Sequence, residues 1–211
     1  MLCARGGSTV LTEVPEMFGA ETLLMQRCKN RETFDKCVDM INSFKQYFFS
    51  HNQECYENPS PGNHDGGITT LEEKSLGCIQ KGGKAIITDI LKYGEHCKKP
   101  GLSLLTGPGN DIVSVTNLTA AGANIILFTT GRGTPLGAPV PTVKISSNSS
   151  LYKRKSNWID FNAGELINNR DFENITEEIL NLVIEVASGK KTKNEINSYR
   201  DISIFKDGVI M

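Results

Sequence analysis

Long apolar runs are missing from this sequence, and so is any excess of positive charge. Crossing a bilayer as a helix takes roughly 18 or more apolar residues in a row. No stretch approaches that length, so no membrane partner is expected. With 23 Lys+Arg against 24 Asp+Glu and a formal net charge of -1, the chain lacks the basic footprint of a nucleic-acid binder, and no nucleic-acid partner is expected. The opening residues MLCARGGSTV lack the basic-then-apolar order of a secretory leader. That favours a cytoplasmic location and reduces the sequons at Asn117, Asn148 and Asn174 to chance matches. The six cysteines (Cys3, Cys28, Cys37, Cys55, Cys78 and Cys97) contain no CxxC pair. This argues against a zinc knuckle or a thioredoxin-type motif and for free thiols packed as small apolar groups. Neither a Walker-type phosphate loop nor GxGxxG occurs.

What is present reads as a folded α/β protein: 38% hydrophobic and 22% charged residues over 211 positions. Residues 8–14 (STVLTEV) predict a strand that begins near the first residue. A buried parallel strand needs neighbours, so the chain is expected to be a fragment of a larger protein. Apolar residues at helical spacing predict helices over about 19–28 and 31–50, the second with a stripe wide enough to pack on a sheet. Residues 57–70 (ENPSPGNHDGGITT) predict a long loop, followed by a helix over 71–81 capped by Thr69 or Thr70. LSLLTG (102–107), a helix near 111–121, NIILFTTG (124–131) and PTVKISSN (141–148) continue as strand, helix, strand, loop, strand. Their lack of alternation suits strands buried on both faces. The fold class expected is an open, mostly parallel sheet with flanking helices, Rossmann-like and three-layered. Residues 1–170 would form the α/β domain, and 171–211 a helical tail packed on it.

Ligands of open α/β sheets bind beyond the carboxyl ends of the strands. Three strands here end in polar loops: TEVPE (12–16), TGPGND (106–111) and TTGRGTP (129–135). As neighbours in one sheet, they would converge on a single crevice. Arg132 between Gly131 and Gly133, with Thr129, Thr130 and Thr134, offers a bidentate clamp for a carboxylate beside exposed N–H groups. Glu13 and Glu16 flank Pro15 and could transfer protons or hold a divalent cation, for which they are the weak metal-ligand candidates. Glu73 and Lys74 either reach the site or decorate a helix surface. Asn63, Gly66 and Gly67 could fold over a ligand, and His64 and Asp65 could reach a metal. An oxygen-rich cluster would suit Mg, Mn or Fe(II) better than zinc.

TEVPEMFGAE (12–21), NPSPGN with GGITTLEEKSLGCIQKGG (58–63, 66–83), GPGND (107–111), LFTTGRGTP (127–135), PTVKISSN (141–148) and NWIDFNAG (157–164) together resemble the altronate and galactarate dehydratase family. PEMFGAE and NPSPGN look most like the altronate branch. A sulfolactate sulfo-lyase large subunit is a related alternative, as is a fragment that binds a sugar acid without turning it over. The resemblance implies a hydro-lyase that removes water across C2 and C3 of a sugar acid to give a 2-keto-3-deoxy acid. For the altronate branch that is D-altronate to 2-dehydro-3-deoxy-D-gluconate. It implies Fe(II) or Mn(II) as cofactor and a small-molecule sugar acid as partner, with a homo-oligomer left open. The family's members are about twice this length, so the amino-terminal portion of the same enzyme is expected as the missing partner. For that chemistry Glu13, Glu16, Glu73 and Lys74 are the catalytic candidates, acid and base unassigned, with Arg132 to stabilise the developing charge. Asn63, Gly66, Gly67, Asn110, Asp111, Thr129, Thr130, Gly131, Gly133 and Thr134 would bind substrate, and Asp160 would be hydroxyl-binding or structural. His64 stands where the family usually has lysine.

Overall fold

The computed structural model describes residues 1–55, 61–168 and 171–210. Asn58, Pro59 and Ser60 of the expected loop, and residue 170 at the expected domain boundary, lie outside them. The chain divides into two compact units, one of residues 1–122 with 204–210 and one of residues 123–203. Among the described residues no helix is long and apolar enough to cross a membrane.

In the first unit, β1 (Ser8–Leu11) is shorter than the 8–14 run because Glu13 turns into the left-handed region at φ 70 and Pro15 opens a short 3-10 helix, Val14–Met17. Helix α1 (Glu21–Met25) is followed by α2 (Arg31–Ser50), whose bounds match the sequence expectation. The Asn30 side chain caps α2 by accepting from the Thr33 amide at 2.9 Å. Its inner stripe, Cys37, Met40, Ile41, Phe44 and Phe48, packs against Val14, Met17, Phe18 and Leu24 and against Ile87, Leu102 and Leu104 of the sheet. The short α3 (Pro61–His64) and α4 (Leu71–Ile79) lead to β2 (Ile87–Leu91), β3 (Gly101–Leu105) and α5 (Asp111–Ala120). The sheet is all-parallel in the order β1-β3-β2. Strand β2 escapes a reading by apolar runs because Thr88 and Asp89 interrupt it.

The second unit holds β4 (Ile126–Thr130), β5 (Thr142–Ser146), α6 (Ser149–Arg154), β6 (Phe161–Asn162), α7 (Phe172–Ala187) and α8 (Lys193–Ile196). Its sheet is also all-parallel, in the order β4-β5-β6. Residues 171–203 belong to this unit: Ile175, on α7, is buried, and Val186, Ile179 and Leu182 pack on Val143 and Ile145 of β5.

The open, parallel α/β architecture is thus as expected, but among the described residues it is built as two three-stranded sheets and not one. Apolar runs report burial and not which strand pairs with which, so the single sheet was an assumption that the pairing overturns. Burial on both faces holds for β5, which is buried throughout, and fails for β4, whose alternating pattern leaves Leu127 41% exposed and Thr129 exposed on one face.

Candidate functional site

Glu13 and Glu16 lie where β1 ends. The Val14 amide donates to the Gly107 carbonyl at 3.0 Å, which brings the TEVPE turn beside the TGPGND loop that follows β3. Gly107 is required there, since a Cβ would stand 2.7 Å from Asn117 Nδ2 and 2.9 Å from Thr12 Oγ1. Asn117 in turn donates to the Thr106 carbonyl, and Ser114 Oγ donates to the Pro108 carbonyl, so the loop is pinned from α5. Asn110 caps α5 by accepting from the Val113 amide, and Asp111 is the helix's first residue. A non-glycine residue held at φ 70 stores roughly 1–3 kcal/mol, and such strain clusters at functional sites. Glu13 is such a residue.

Helix α4 supplies the other half of this cluster. Lys74 and Cys78 are one turn apart and face the same way. Lys74 Nζ lies 3.0 Å from Glu16 Oε1, and Cys78 Sγ donates to Glu16 Oε2 at 2.8 Å. Lys81, in the 3-10 turn that extends the helix, places Nζ 4.0 Å from Glu16 Oε2. Two carboxylates so close to one another and half-buried cannot both ionise readily. Burial, with the Glu16 and Asp111 charges, pushes the Glu13 carboxyl up to about 8, with Lys81 opposing. Burial works the same way on Glu16, but Lys74, Lys81 and the Cys78 thiol outweigh it and hold Glu16 below its ordinary value. The Lys81 ammonium is favoured, because Glu13, Cys78, Glu16 and Asp111 together overcome its desolvation. Burial beside Glu16 pushes the Cys78 thiol up to about 12. The arrangement is therefore one carboxyl that is largely protonated near neutrality, one fixed carboxylate and two ammonium groups.

This donor set does not fit an Fe(II) or Mn(II) site. Glu16 is already engaged by two ammoniums and a thiol that would repel or be displaced by a divalent cation. Among the described residues, no three His, Cys, Asp or Glu side chains gather to hold a metal ion. His64 ends the short, exposed α3.

The remaining candidates fall into separate places. Glu73 closes a capping box: its Oε2 accepts from the Thr69 amide at 2.8 Å and the Thr70 amide at 3.2 Å, while Thr70 Oγ1 accepts from the Glu73 amide. Asn63, Gly66 and Gly67 form the turn that precedes this cap, where the Asn63 carbonyl accepts from Gly66 and Ile68. Thr129, Thr130, Gly131, Arg132, Gly133 and Thr134 belong to the second unit, at the end of β4, so the premise that three loops end one sheet does not hold. Within that loop the Gly133 amide donates to Thr130 Oγ1 at 2.9 Å and Asn148 Nδ2 donates to the Gly131 carbonyl at 3.0 Å, while Arg132 is exposed. Asp160 is tied into the sheet: Oδ2 accepts from the Lys144 amide and Oδ1 from the Lys193 amide, both at 2.8 Å. Sequence reasoning missed Cys78 and Lys81, although both continue the helical face that begins at Lys74. It also missed Lys144, which an apolar strand pattern conceals.

The sequence profile described as D-galactarate/altronate dehydratase, C-terminal, matches residues 1–210. Altronate dehydratase of Escherichia coli (strain K12) is 57% identical over 208 residues, covering 99% of this chain and 42% of that protein. Altronate dehydratase of Bacillus subtilis (strain 168) is 58% identical over 211 residues, covering 100% of this chain and 42% of that protein. Galactarate dehydratase (L-threo-forming) of Escherichia coli (strain K12) is 35% identical over 193 residues, covering 90% of this chain and 37% of that protein. The chain thus spans less than half the length of these curated relatives.

Proposed function

Because this chain belongs to the D-galactarate/altronate dehydratase family, as its carboxy-terminal region, we propose that it supplies acid–base and carboxylate-binding groups to a sugar-acid hydro-lyase acting on D-altronate. The observation that carries the reading is the Glu13 carboxyl, held up to about 8 beside an anchored Glu16 and a charged Lys81. Loss of water across C2 and C3 requires a proton at the departing C3 hydroxyl. Glu13, protonated near neutrality, donates that proton. The Lys81 ammonium then offsets the carboxylate left behind, and Glu16 fixes Lys74 and Lys81 around it. Strained backbone at Glu13 aims the carboxyl, and Asn110 and Asp111 present polar groups beside it. Asn63, Gly66 and Gly67 contribute hydroxyl contacts on the same unit.

Arg132, with the N–H group of Gly131 and the hydroxyls of Thr129, Thr130 and Thr134, forms a clamp for a carboxylate around the turn that Gly133 permits. Altronate is preferred over galactarate as substrate because this chain is 57% and 58% identical to the two altronate dehydratases and 35% identical to the galactarate enzyme. The Fe(II) or Mn(II) that the family resemblance implies finds no fitting donor set among the described residues of this chain.

Thermal unfolding of the chain with D-altronate, D-galactarate and the neutral polyol D-altritol tests the proposal. Binding to the folded state at about 100 times the dissociation constant adds roughly 2.7 kcal/mol. D-altronate is expected to raise the midpoint more than D-galactarate, and D-altritol is expected to leave it unchanged. No shift with D-altronate at millimolar concentration, or an equal shift with D-altritol, would sink the reading. In the whole enzyme, Glu13→Gln is expected to lower kcat by at least 100-fold, the range of a lost general acid.

A further inference from the structure

Lys144 lies on β5, the central strand of the second unit's sheet, and is fully buried. Val143 and Ile145 point to the opposite face of the strand and pack in the core, while Lys144 shares its own face with Thr142 and Ser146, all three buried. A buried ammonium is expensive to desolvate and is retained only where its donors are used. Its main chain is fixed from both sides of the peptide by Asp160. The Lys144 amide donates to Asp160 Oδ2 at 2.8 Å, and the Asp160 amide donates to the Lys144 carbonyl at 2.9 Å.

From this fixed strand the side chain reaches the loop after β4, where Nζ donates to the Thr134 carbonyl. That carbonyl follows Gly133, whose φ of +83 only glycine adopts without strain. The same loop is held by Thr130 Oγ1 at the Gly133 amide and by Asn148 at the Gly131 carbonyl. Lys144 thus joins Thr130 and Asn148 among the side chains that shape residues 129–135, and it reaches the loop from the protein interior.

We propose that Lys144 is a positioning residue. It holds the TTGRGTP loop in the conformation that receives a carboxylate. The inference rests on the reading of this loop as a carboxylate clamp.

The test compares Lys144→Met, which keeps the bulk and removes the charge, with Lys144→Arg, which keeps charge and donors. Hydrogen exchange of the amides at 130–134 is expected to quicken at least tenfold in Lys144→Met while the β5 amides keep their protection. Lys144→Arg is expected to retain most of the loop's protection. Titrated with D-altronate, Lys144→Met is expected to lose at least tenfold in affinity, with D-altritol still without effect. Unaltered loop exchange in Lys144→Met overturns the inference. A uniform loss of protection across the sheet, or unfolding that Lys144→Arg does not repair, also overturns it by showing a general structural role. If the unmodified chain does not distinguish D-altronate from D-altritol, the carboxylate reading of the loop fails, and the exchange result alone decides whether Lys144 positions it.

Discussion

Lys74 Nζ lies 3.0 Å from Glu16 Oε1, which ties helix α4 to the turn at the end of β1. The two side chains are only 15% and 16% exposed, so this is not a solvated surface pair of negligible value. Glu16 also receives the Cys78 thiol and faces Lys81. Glu16→Gln should cost about 1–3 kcal/mol of stability, the range for stranding charged partners in a partly buried site. It should also let the Glu13 carboxyl fall, since the Glu16 charge is one of the forces that raise it. Denaturant midpoints give the first effect, and a carboxyl-carbon NMR titration of Glu13 gives the second. A Glu13 value unchanged in Glu16→Gln would mean that burial and the Asp111 charge set it without Glu16.

Glu13 makes stability depend on pH in a definite direction. Its carboxyl is raised from an ordinary 4.5 to about 8 on folding, so between those values the folded chain holds a proton that the unfolded chain has lost. Stability contributed by this group is present in full below about 4.5 and falls as pH rises toward 8. The slope cannot exceed about 1.4 kcal/mol per pH unit. Glu13→Gln cannot lose that proton, so its stability relative to the unsubstituted chain should improve steadily from pH 5 to pH 8. Urea unfolding of both at the two pH values checks this, and parallel curves would show that Glu13 titrates normally.

Glu73 separates a capping role from a chemical one. Its carboxylate accepts from the Thr69 and Thr70 amides, which hold it below its ordinary value. Glutamine closes the same box, so Glu73→Gln should keep both stability and turnover. Glu73→Ala should lose stability, and Thr70→Ala should cost about 0.5–2 kcal/mol. A large fall in kcat for Glu73→Gln with unchanged stability would return Glu73 to the chemistry.

Helix α2, the cap at Thr70, α5 and the approximate places of β1, β3, β4 and β5 were legible because periodicity and capping are local. The proximity of Glu13 and Glu16 was legible too, as both lie in one turn. What joined them was not. Cys78 and Lys81 enter through the packing of α4 on Val14–Met17, a contact that no local pattern encodes. The assignment of β4 to a second sheet depends on pairing choices that burial patterns leave open. Lys144 was hidden for a related reason: a charged residue inside an apolar strand reads as a solvent-facing position until the strand proves central.

Gly164 tests how the motif NWIDFNAG supports the loop at residues 129–135. A Cβ at Gly164 would stand 2.3 Å from the Ser149 amide nitrogen and 2.5 Å from Asn148 backbone atoms, distances that no rotamer relieves. Those atoms begin α6, whose cap is Asn148. Asn148 uses the same side chain to accept from the Leu151 amide at 2.8 Å and to donate to the Gly131 carbonyl at 3.0 Å. Gly164→Ala must therefore push the start of α6 away or displace its own turn, and Asn162, which accepts from the Gly164 amide at 3.1 Å, is pulled with it. The expected cost is about 1–3 kcal/mol, typical of forced overpacking, or a midpoint lower by roughly 2–4 °C for each kcal/mol in a chain of this size. Because Asn148 couples α6 to Gly131, amide exchange at 131–133 should quicken along with that at 149–151. Loss of stability without any change at 131–133 would mean that the loop is held by Thr130 and Lys144 without help from the helix cap.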